Sequence, residues 1–172
     1  MLGLLLQPGD VVLDVGCGTG LSFPLLEEAI GPRGLIIGIE QSPDMLTRAR
    51  RRVEDSGWRN VTLIESPVEE ARFDQRADAA LFCFVHDIMQ TQQALDNVIA
   101  HLRPGAMVAA AGTKWASWWM VLSNIQVFLI SRAAMTTRDN LDKPWRNLQR
   151  LISDFTIEHV SSTQYVAAGH VA

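Results

Sequence analysis

Val11-Val12-Leu13-Asp14-Val15-Gly16-Cys17-Gly18-Thr19-Gly20 decides the fold. The β-branched run at its start is apolar on both faces, the pattern of a strand buried in a parallel sheet. Glycines then stand at alternate positions, a turn whose backbone must accept a close neighbour. Leu21 to Ile30 reads as a helix. A strand, a glycine turn and a helix N-terminus form a nucleotide-sized corner of an open α/β sheet.

Strand and helix patterns alternate from there. The helix after the glycines is read as burying Leu21, Leu25 and Leu26, with Pro24 in its first turn. Leu35 to Glu40 is a strand, apolar until the acid that ends it. Ser42 then sits at an N-cap and Pro43 at N1 of a second helix, whose apolar stripe is Met45/Leu46, Ala49 and Val53; Gly57 stops it. Val61 to Ile64 and Asp78 to Val85 are the third and fourth strands, and the fourth runs into His86-Asp87. Thr91 to Leu102 is a helix. Pro104-Gly105 turns the chain into a fifth strand, Ala106 to Ala111. This order predicts a doubly wound α/β domain with a parallel sheet.

After Thr113 the alternation breaks. Lys114 to Arg132 reads as a long apolar helix carrying Trp115, Trp118 and Trp119, and Pro144 opens a short helix to about Ile152. Residues 114–152 are therefore read as a helical insertion between the fifth and sixth strands. Phe155 to Val160 and Thr163 to Ala168 close the chain as an antiparallel hairpin. One domain over residues 1–172 is expected: a Rossmann-like three-layer sandwich around a mostly parallel seven-stranded sheet.

The chain has 172 residues, enough for one full core, with 48% hydrophobic and 20% charged residues and a net charge of −4. Nothing in that balance points to a nucleic-acid partner. Arg48, Arg51 and Arg52 share one helix face and read as a solvated face. Cys17 and Cys83 lack metal-ligand spacing, so no metal site is expected, and a reducing, cytoplasmic setting is the simpler context. Met1 to Leu6 reads as the last turn of a helix, without the basic region of a signal peptide.

A dinucleotide fingerprint is G-x-G-x-x-G, whereas here Gly16, Gly18 and Gly20 bring the third glycine one residue early. That spacing disfavours a nicotinamide-dependent oxidoreductase. Glu40 stands about twenty residues beyond the glycines, where a carboxylate can accept both hydroxyls of a ribose.

Val12 to Gly20 resembles motif I of the class I S-adenosylmethionine-dependent methyltransferases. Gly38-Ile39-Glu40-Gln41-Ser42-Pro43-Asp44-Met45-Leu46 resembles their second-strand motif, and Leu102-Arg103-Pro104-Gly105-Ala106 their turn into the fifth strand. The resemblance implies S-adenosylmethionine as cofactor and S-adenosylhomocysteine as product. It implies that Asp14 and the backbone of Gly16, Cys17, Gly18 and Gly20 hold the methionine end. Glu40 would take the ribose hydroxyls, with Gln41 and Met45 against ribose and adenine. Cys83 would offer its carbonyl to the cofactor's amino group, and Phe84 would wall the site. In the family an acid commonly follows the third strand and binds the adenine amino group. Here Ser66 replaces it and Pro67 has no N–H to give, which leaves adenine contact to the Ser66 hydroxyl or the Val68 N–H.

Methyl transfer from a sulfonium is an in-line displacement from an activated donor, so the protein must chiefly orient the acceptor and exclude water. His86 follows the fourth strand at the carboxyl edge, and two readings stand open: general base for a hydroxyl acceptor, or a residue that caps or lines the pocket. Cys83-Phe84-Val85-His86 stands where the family's DNA-amine and glutamine-amide enzymes carry Asn/Asp-Pro-Pro-aromatic. A small-molecule acceptor is therefore expected, apolar or aromatic, with Asp87, Lys114, Trp115, Trp118 and Trp119 as candidate contacts. For the tryptophan segment, core packing, a homodimer face and a membrane-surface contact serving a lipid or quinone-like substrate also stand open. Ser117, Ser123, Asn124 and Gln126 interrupt it too often for a span. The family usually places a helical lid before the first strand, and only Met1 to Leu6 stand there. The expectations are a shortened chain, a start further upstream, or a lid supplied from Trp115 onward or by a partner. An accessory methyltransferase-like binding subunit is the alternative function.

Overall fold

The computed structural model describes residues 5–116, 119–120, 124–125, 127–128 and 140–172. Its elements run β1 (Val11–Val15), α1 (Phe23–Ile30), β2 (Leu35–Glu40), α2 (Pro43–Ser56), β3 (Val61–Glu65), β4 (Ala77–Cys83), α3 (His86–Gln90), α4 (Gln92–Ala100), β5 (Leu102–Thr113), β6 (Ile152–Glu158) and β7 (Gln164–Val171).

The strands form one seven-stranded sheet in the order β3-β2-β1-β4-β5-β7-β6. Pairs from β3 to β5 are parallel. β7 runs antiparallel to both β5 and β6. The strand order reverses between β1 and β4, and the carboxyl ends of those two strands open the crevice where ligands bind in such sheets.

Alternation along β1 sends Leu13 and Val15 to one face and Val12 to the other. On the first face they meet Ile37, Ile39, Phe82, Val108 and Ala110, covered by Met89 of α3, Leu95 and Val98 of α4, and Trp145 and Leu148. On the second, Val12, Ile36 and Leu81 pack under Phe23, Leu26 and Ile30 of α1 and Leu46 and Ala49 of α2. Two helical layers thus enclose the sheet, and the expected three-layer Rossmann-like architecture with its C-terminal antiparallel hairpin is the one observed.

Several local expectations are corrected. α1 starts at Phe23, two residues later than read, so its inward face is Phe23, Leu26 and Ile30. Leu21 and Leu25 are instead exposed, at 73% and 68%. β4 ends at Cys83, two residues short of the expected Val85, and after Phe84 and Val85 comes the short α3, which the sequence pattern does not reveal. Leu102 belongs to β5, not to the preceding helix. Lys114, Trp115, Ala116, Trp119 and Met120 are not helical, whereas Asn124, Ile125, Val127 and Phe128 are; the rest of the expected 114–132 helix lies outside the described residues. The helix expected from Pro144 is a series of turns ending in a 3₁₀ turn at Leu148–Arg150. Residues 5–7 are not helical, and 1–4 lie outside the described residues.

The second helix forms as its sequence dictates. Ser42 caps it by accepting the Met45 N–H, Pro43 occupies the first turn, and Gly57 ends it in the left-handed region at φ 69°. Among the described residues no helix is long and apolar enough to cross a membrane.

Candidate functional site

The glycine turn leaves β1 toward α1 with all three glycines at positive φ, 69°, 56° and 72°. Two of them serve different ends. A Cβ on Gly16 would stand 2.5 Å from Val85 Cγ1 and 2.8 Å from Ile88 Cδ1, so that position is glycine because the β4–α3 connection packs on it. A Cβ on Gly18 would meet only Met45 Sδ, at 3.8 Å. Gly18 thus faces open space, which no packing demand inside the fold accounts for.

Glu40, at the carboxyl end of β2, spans the turn. Its Oε2 accepts the Gly18 N–H at 3.1 Å and its Oε1 accepts the Ser42 N–H at 2.8 Å. A carboxylate has about four acceptor sites, so two remain for a ligand's hydroxyls. Asp14, one strand over, is 1% exposed and accepts a hydrogen bond from the Ser22 hydroxyl. Burial pushes its carboxyl up to about 6, the Ser22 hydrogen bond opposing that rise. Burial likewise raises the thiols of Cys17 and Cys83, with Asp14 adding to both, so neither is primed as a thiolate.

A crevice with two lobes lies over this edge. The first, of about 300 Å³, is lined by Gln41, Ser66, Val68, Glu69, His86 and Asp87 among others. The second, of about 330 Å³, is lined by Asp14, Cys17, Gly18, Thr19, Ser22 and Cys83 among others. Gly16, Glu40, Met45, Phe84 and Val85 line both and form the junction. The residues expected around a nucleoside thus fall in one lobe, and most of those expected around an amino-acid tail in the other. Gly20 is buried beneath the turn, against the Phe23 ring.

Phe84 is non-glycine yet sits at φ 58°, its N–H donating to Ala111 O at 2.8 Å. This left-handed conformation costs a side-chain-bearing residue on the order of 1 kcal/mol, and such strain concentrates at ligand sites. Phe84 stays 59% exposed at the crevice mouth, as does Met45 at 46%. With Leu21 they give the crevice an apolar rim.

Ser66, which lines the first lobe, donates its hydroxyl hydrogen to Pro67 O at 2.8 Å. Val68 is buried beside it, and its carbonyl accepts from Asn97 Nδ2 at 2.7 Å, as the Ala71 carbonyl does at 3.0 Å. Asn97, unmarked in the sequence, thereby pins the whole 66–71 turn from α4. Arg52, expected on a solvated face, instead donates from its Nε to Thr19 O, in the glycine turn, at 3.0 Å. Neither carries a local sequence signal, because both act across folds of the chain.

The acceptor-side candidates divide. His86 is 6% exposed and opens α3, with Asp87 next to it in the first lobe. Lys114 turns its ammonium to Ser162 O at 2.9 Å, in the β6–β7 connection. The Trp115 N–H donates to Leu141 O at 2.9 Å. Trp119 is exposed. None of these last three lines either lobe, and Trp118 lies outside the described residues. No group of three or more His, Cys, Asp or Glu among the described residues is placed to hold a metal ion.

A mostly parallel sheet with its glycine turn, the acid that ends β2 and a crevice at the strand-order reversal is the Rossmann-like architecture of the class I S-adenosylmethionine-dependent methyltransferases. The chain belongs to the methyltransferase-domain family, whose profile matches residues 12–105. It is 34% identical over 145 residues, 82% of its length, to an uncharacterized 37.1 kDa transposon protein of Streptomyces fradiae, covering 39% of that protein. It is 33% identical over 109 residues to a demethylmenaquinone methyltransferase of Listeria welshimeri, covering 62% of this chain and 46% of the relative. An arsenite methyltransferase of Halobacterium salinarum is 30% identical over 106 residues, 60% of this chain and 27% of the relative. The chain therefore spans less than half the length of each of these relatives. In fold it is similar to a SAM-dependent methyltransferase from Aquifex aeolicus, with a TM-score of 0.67 at 20% identity over 97% of this chain and 85% of that one. A phosphoethanolamine N-methyltransferase of Haemonchus contortus matches at a TM-score of 0.73 and 13% identity, over 96% of this chain and 49% of that one.

Proposed function

We propose that this chain binds S-adenosylmethionine and transfers its methyl group to a small, apolar or aromatic acceptor. The observation that carries the reading is the Glu40 carboxylate, held by Gly18 N–H and Ser42 N–H at the junction of the two lobes. The open position at Gly18 fits a ligand laid against the backbone, and a nucleoside joined to an amino-acid tail matches one lobe on each side of a ribose-binding acid. S-adenosylmethionine, when bound, supplies an activated methyl on sulfur.

The chain's own residues would do the rest. Glu40 would bind the ribose hydroxyls, with Gln41 and Met45 beside them. Ser66 and Val68 would meet the adenine. Asp14, the backbone of Gly16 to Gly20, and the Cys83 carbonyl would hold the amino-acid end, and Phe84 would close the mouth. S-adenosylhomocysteine would fill the same contacts as product. The apolar rim of Leu21, Met45 and Phe84 supports an apolar acceptor approaching from solvent. The demethylmenaquinone acceptor named for the Listeria relative is one compound of that kind to assay. His86 would accept the proton of a hydroxyl acceptor, which requires the acceptor oxygen to sit at the first-lobe side of the junction. Asp87 lines that lobe and is the acceptor-side contact that the geometry supports most directly.

The test is methyl transfer from S-adenosylmethionine to a panel of phenol, quinol, carboxylate, amine and lipid acceptors. Turnover of phenols or quinols supports the proposal, and turnover confined to other classes removes its acceptor half. With the true acceptor, His86→Ala and His86→Asn should slow turnover at least tenfold with unchanged cofactor affinity. An unchanged rate removes the base role and leaves His86 as a pocket-lining residue.

A further inference from the structure

Helix α2 presents Met45, Ala49 and Arg52 on one face, at i, i+4 and i+7. From that face Met45 reaches to within 3.8 Å of the Cβ position at Gly18, and Arg52 Nε donates to Thr19 O at 3.0 Å. The Arg52 contact joins residues 33 apart in sequence.

The glycine turn is a short series of rigid peptide planes. Cys17 N–H donates to Ile39 O at 3.0 Å and Gly18 N–H to Glu40 Oε2 at 3.1 Å, which fixes the planes entering the turn. Thr19 C=O and Gly20 N–H are two ends of one later plane. Its N–H donates to Cys17 O at 2.9 Å, and its carbonyl accepts from Arg52. The Gly18–Thr19 plane lies between the two fixed ones, in the wall of the second lobe. Without Arg52, the later plane is held at one end only.

We infer that Arg52 is a positioning residue, one that holds the Thr19 carbonyl so that the Gly18–Thr19 backbone keeps the orientation in which it meets the ligand's amino-acid end. The inference rests on the proposed cofactor reading. A guanidinium donating to a neutral carbonyl makes a charge-assisted hydrogen bond, stronger than an uncharged one. Arg52 is exposed enough that solvent screens part of that advantage. Its aliphatic stem also leaves room for Met, which keeps the length and loses the donor, and for Lys, which keeps a donor on a looser point charge.

The experiment compares wild type, Arg52→Met and Arg52→Lys as full chains. Amide exchange at Gly18, Gly20 and the β1 residues is followed by NMR without ligand. Affinity for S-adenosylhomocysteine is measured by calorimetry and melting by circular dichroism. Arg52→Met should exchange severalfold faster at Gly20 and bind about tenfold more weakly, with melting and β1 exchange as in wild type. Arg52→Lys should recover most of the affinity. Wild-type Gly20 exchange and affinity in Arg52→Met would overturn the inference. So would faster exchange spread evenly through β1, which marks general destabilisation. A wild-type chain that binds no S-adenosylhomocysteine overturns the cofactor reading instead, and the exchange comparison then decides Arg52 by itself.

Discussion

Glu40 Oε2 accepts the Gly18 N–H at 3.1 Å across 22 residues of sequence, and its other oxygen accepts the Ser42 N–H at 2.8 Å. One side chain therefore ties the glycine turn to the start of α2 and still has acceptor capacity facing the crevice.

Glu40→Gln keeps the shape and removes the charge and half of the acceptor capacity. Its amide NH₂ must face one of the two backbone donors. The variant should lose about 1 kcal/mol of stability. Its affinity for S-adenosylhomocysteine should fall further, on the order of 10- to 100-fold, because two ribose hydroxyls lose a charged acceptor. Chemical denaturation and calorimetry on the same preparation separate the two effects.

Gly16 and Gly18 should respond differently to alanine. At Gly16 the added methyl meets Val85 and Ile88 at 2.5 and 2.8 Å on top of an unfavourable φ of 69°. Gly16→Ala should cost roughly 2–4 kcal/mol through overpacking and backbone strain. At Gly18 the space is open, so Gly18→Ala should cost only about 1 kcal/mol in backbone strain. Its main effect should be weaker ligand binding, since the methyl projects into the open space where the proposed function lays the ligand. A Gly18→Ala protein that binds as wild type while Gly16→Ala melts normally would reverse this division.

Asp14 makes stability depend on pH. Its carboxyl is pushed up to about 6 in the fold, against about 3.9 in an unfolded chain. Between those values the folded protein holds a proton that the unfolded chain has lost. Stability from this group is therefore present below about pH 4 and is lost as pH rises through about 6. Asp14→Asn should remove that slope, gaining on wild type as pH rises, with a ceiling on the order of 3 kcal/mol. Ligand affinity should move the other way, since an amide in place of the carboxylate offers no charge to a ligand ammonium. Urea midpoints between about pH 4 and 7.5 read the first effect and calorimetry the second.

Asn97 donates to the carbonyls of both Val68 and Ala71. Asn97→Ala leaves both without that donor and should cost about 1–3 kcal/mol. Because Ser66, Val68 and Glu69 of this turn line the first lobe, where the proposed function puts the adenosine, adenosine should also bind more weakly, whereas Asn97→Asp should lose the same donors and add a charge facing two carbonyls. Equal adenosine affinity in all three proteins would detach this turn from the site.

The sheet is legible in the sequence because its inner strands are apolar on both faces. Leu35 to Glu40 forms residue for residue as its pattern reads, and Ser42, Pro43 and Gly57 mark α2 by their capping chemistry. The resemblance to the methyltransferase motifs picks out Asp14, Gly18, Glu40, Ser66 and Cys83, and the fold brings them to one crevice. What the pattern misses is phase and reach. A start for α1 at Leu21 shifts its inward face, because the turn through Gly20 delays the helix to Phe23. A five-residue helix such as α3 carries too little of a 3.6-residue period to be seen. Lys114 and Trp115 read as pocket residues from their place after β5, yet their bonds run to Ser162 and Leu141. Arg52 reads as solvated because the sequence shows a helix face but not the loop packed against it.

The most direct measurement is a calorimetric titration of the folded full chain with S-adenosylhomocysteine, beside NADH as the dinucleotide comparison. The account predicts one site for S-adenosylhomocysteine, weakened by Glu40→Gln, and no heat from NADH. A well-folded chain that binds no S-adenosylhomocysteine, or that binds NADH at a site lost in Glu40→Gln, would contradict it.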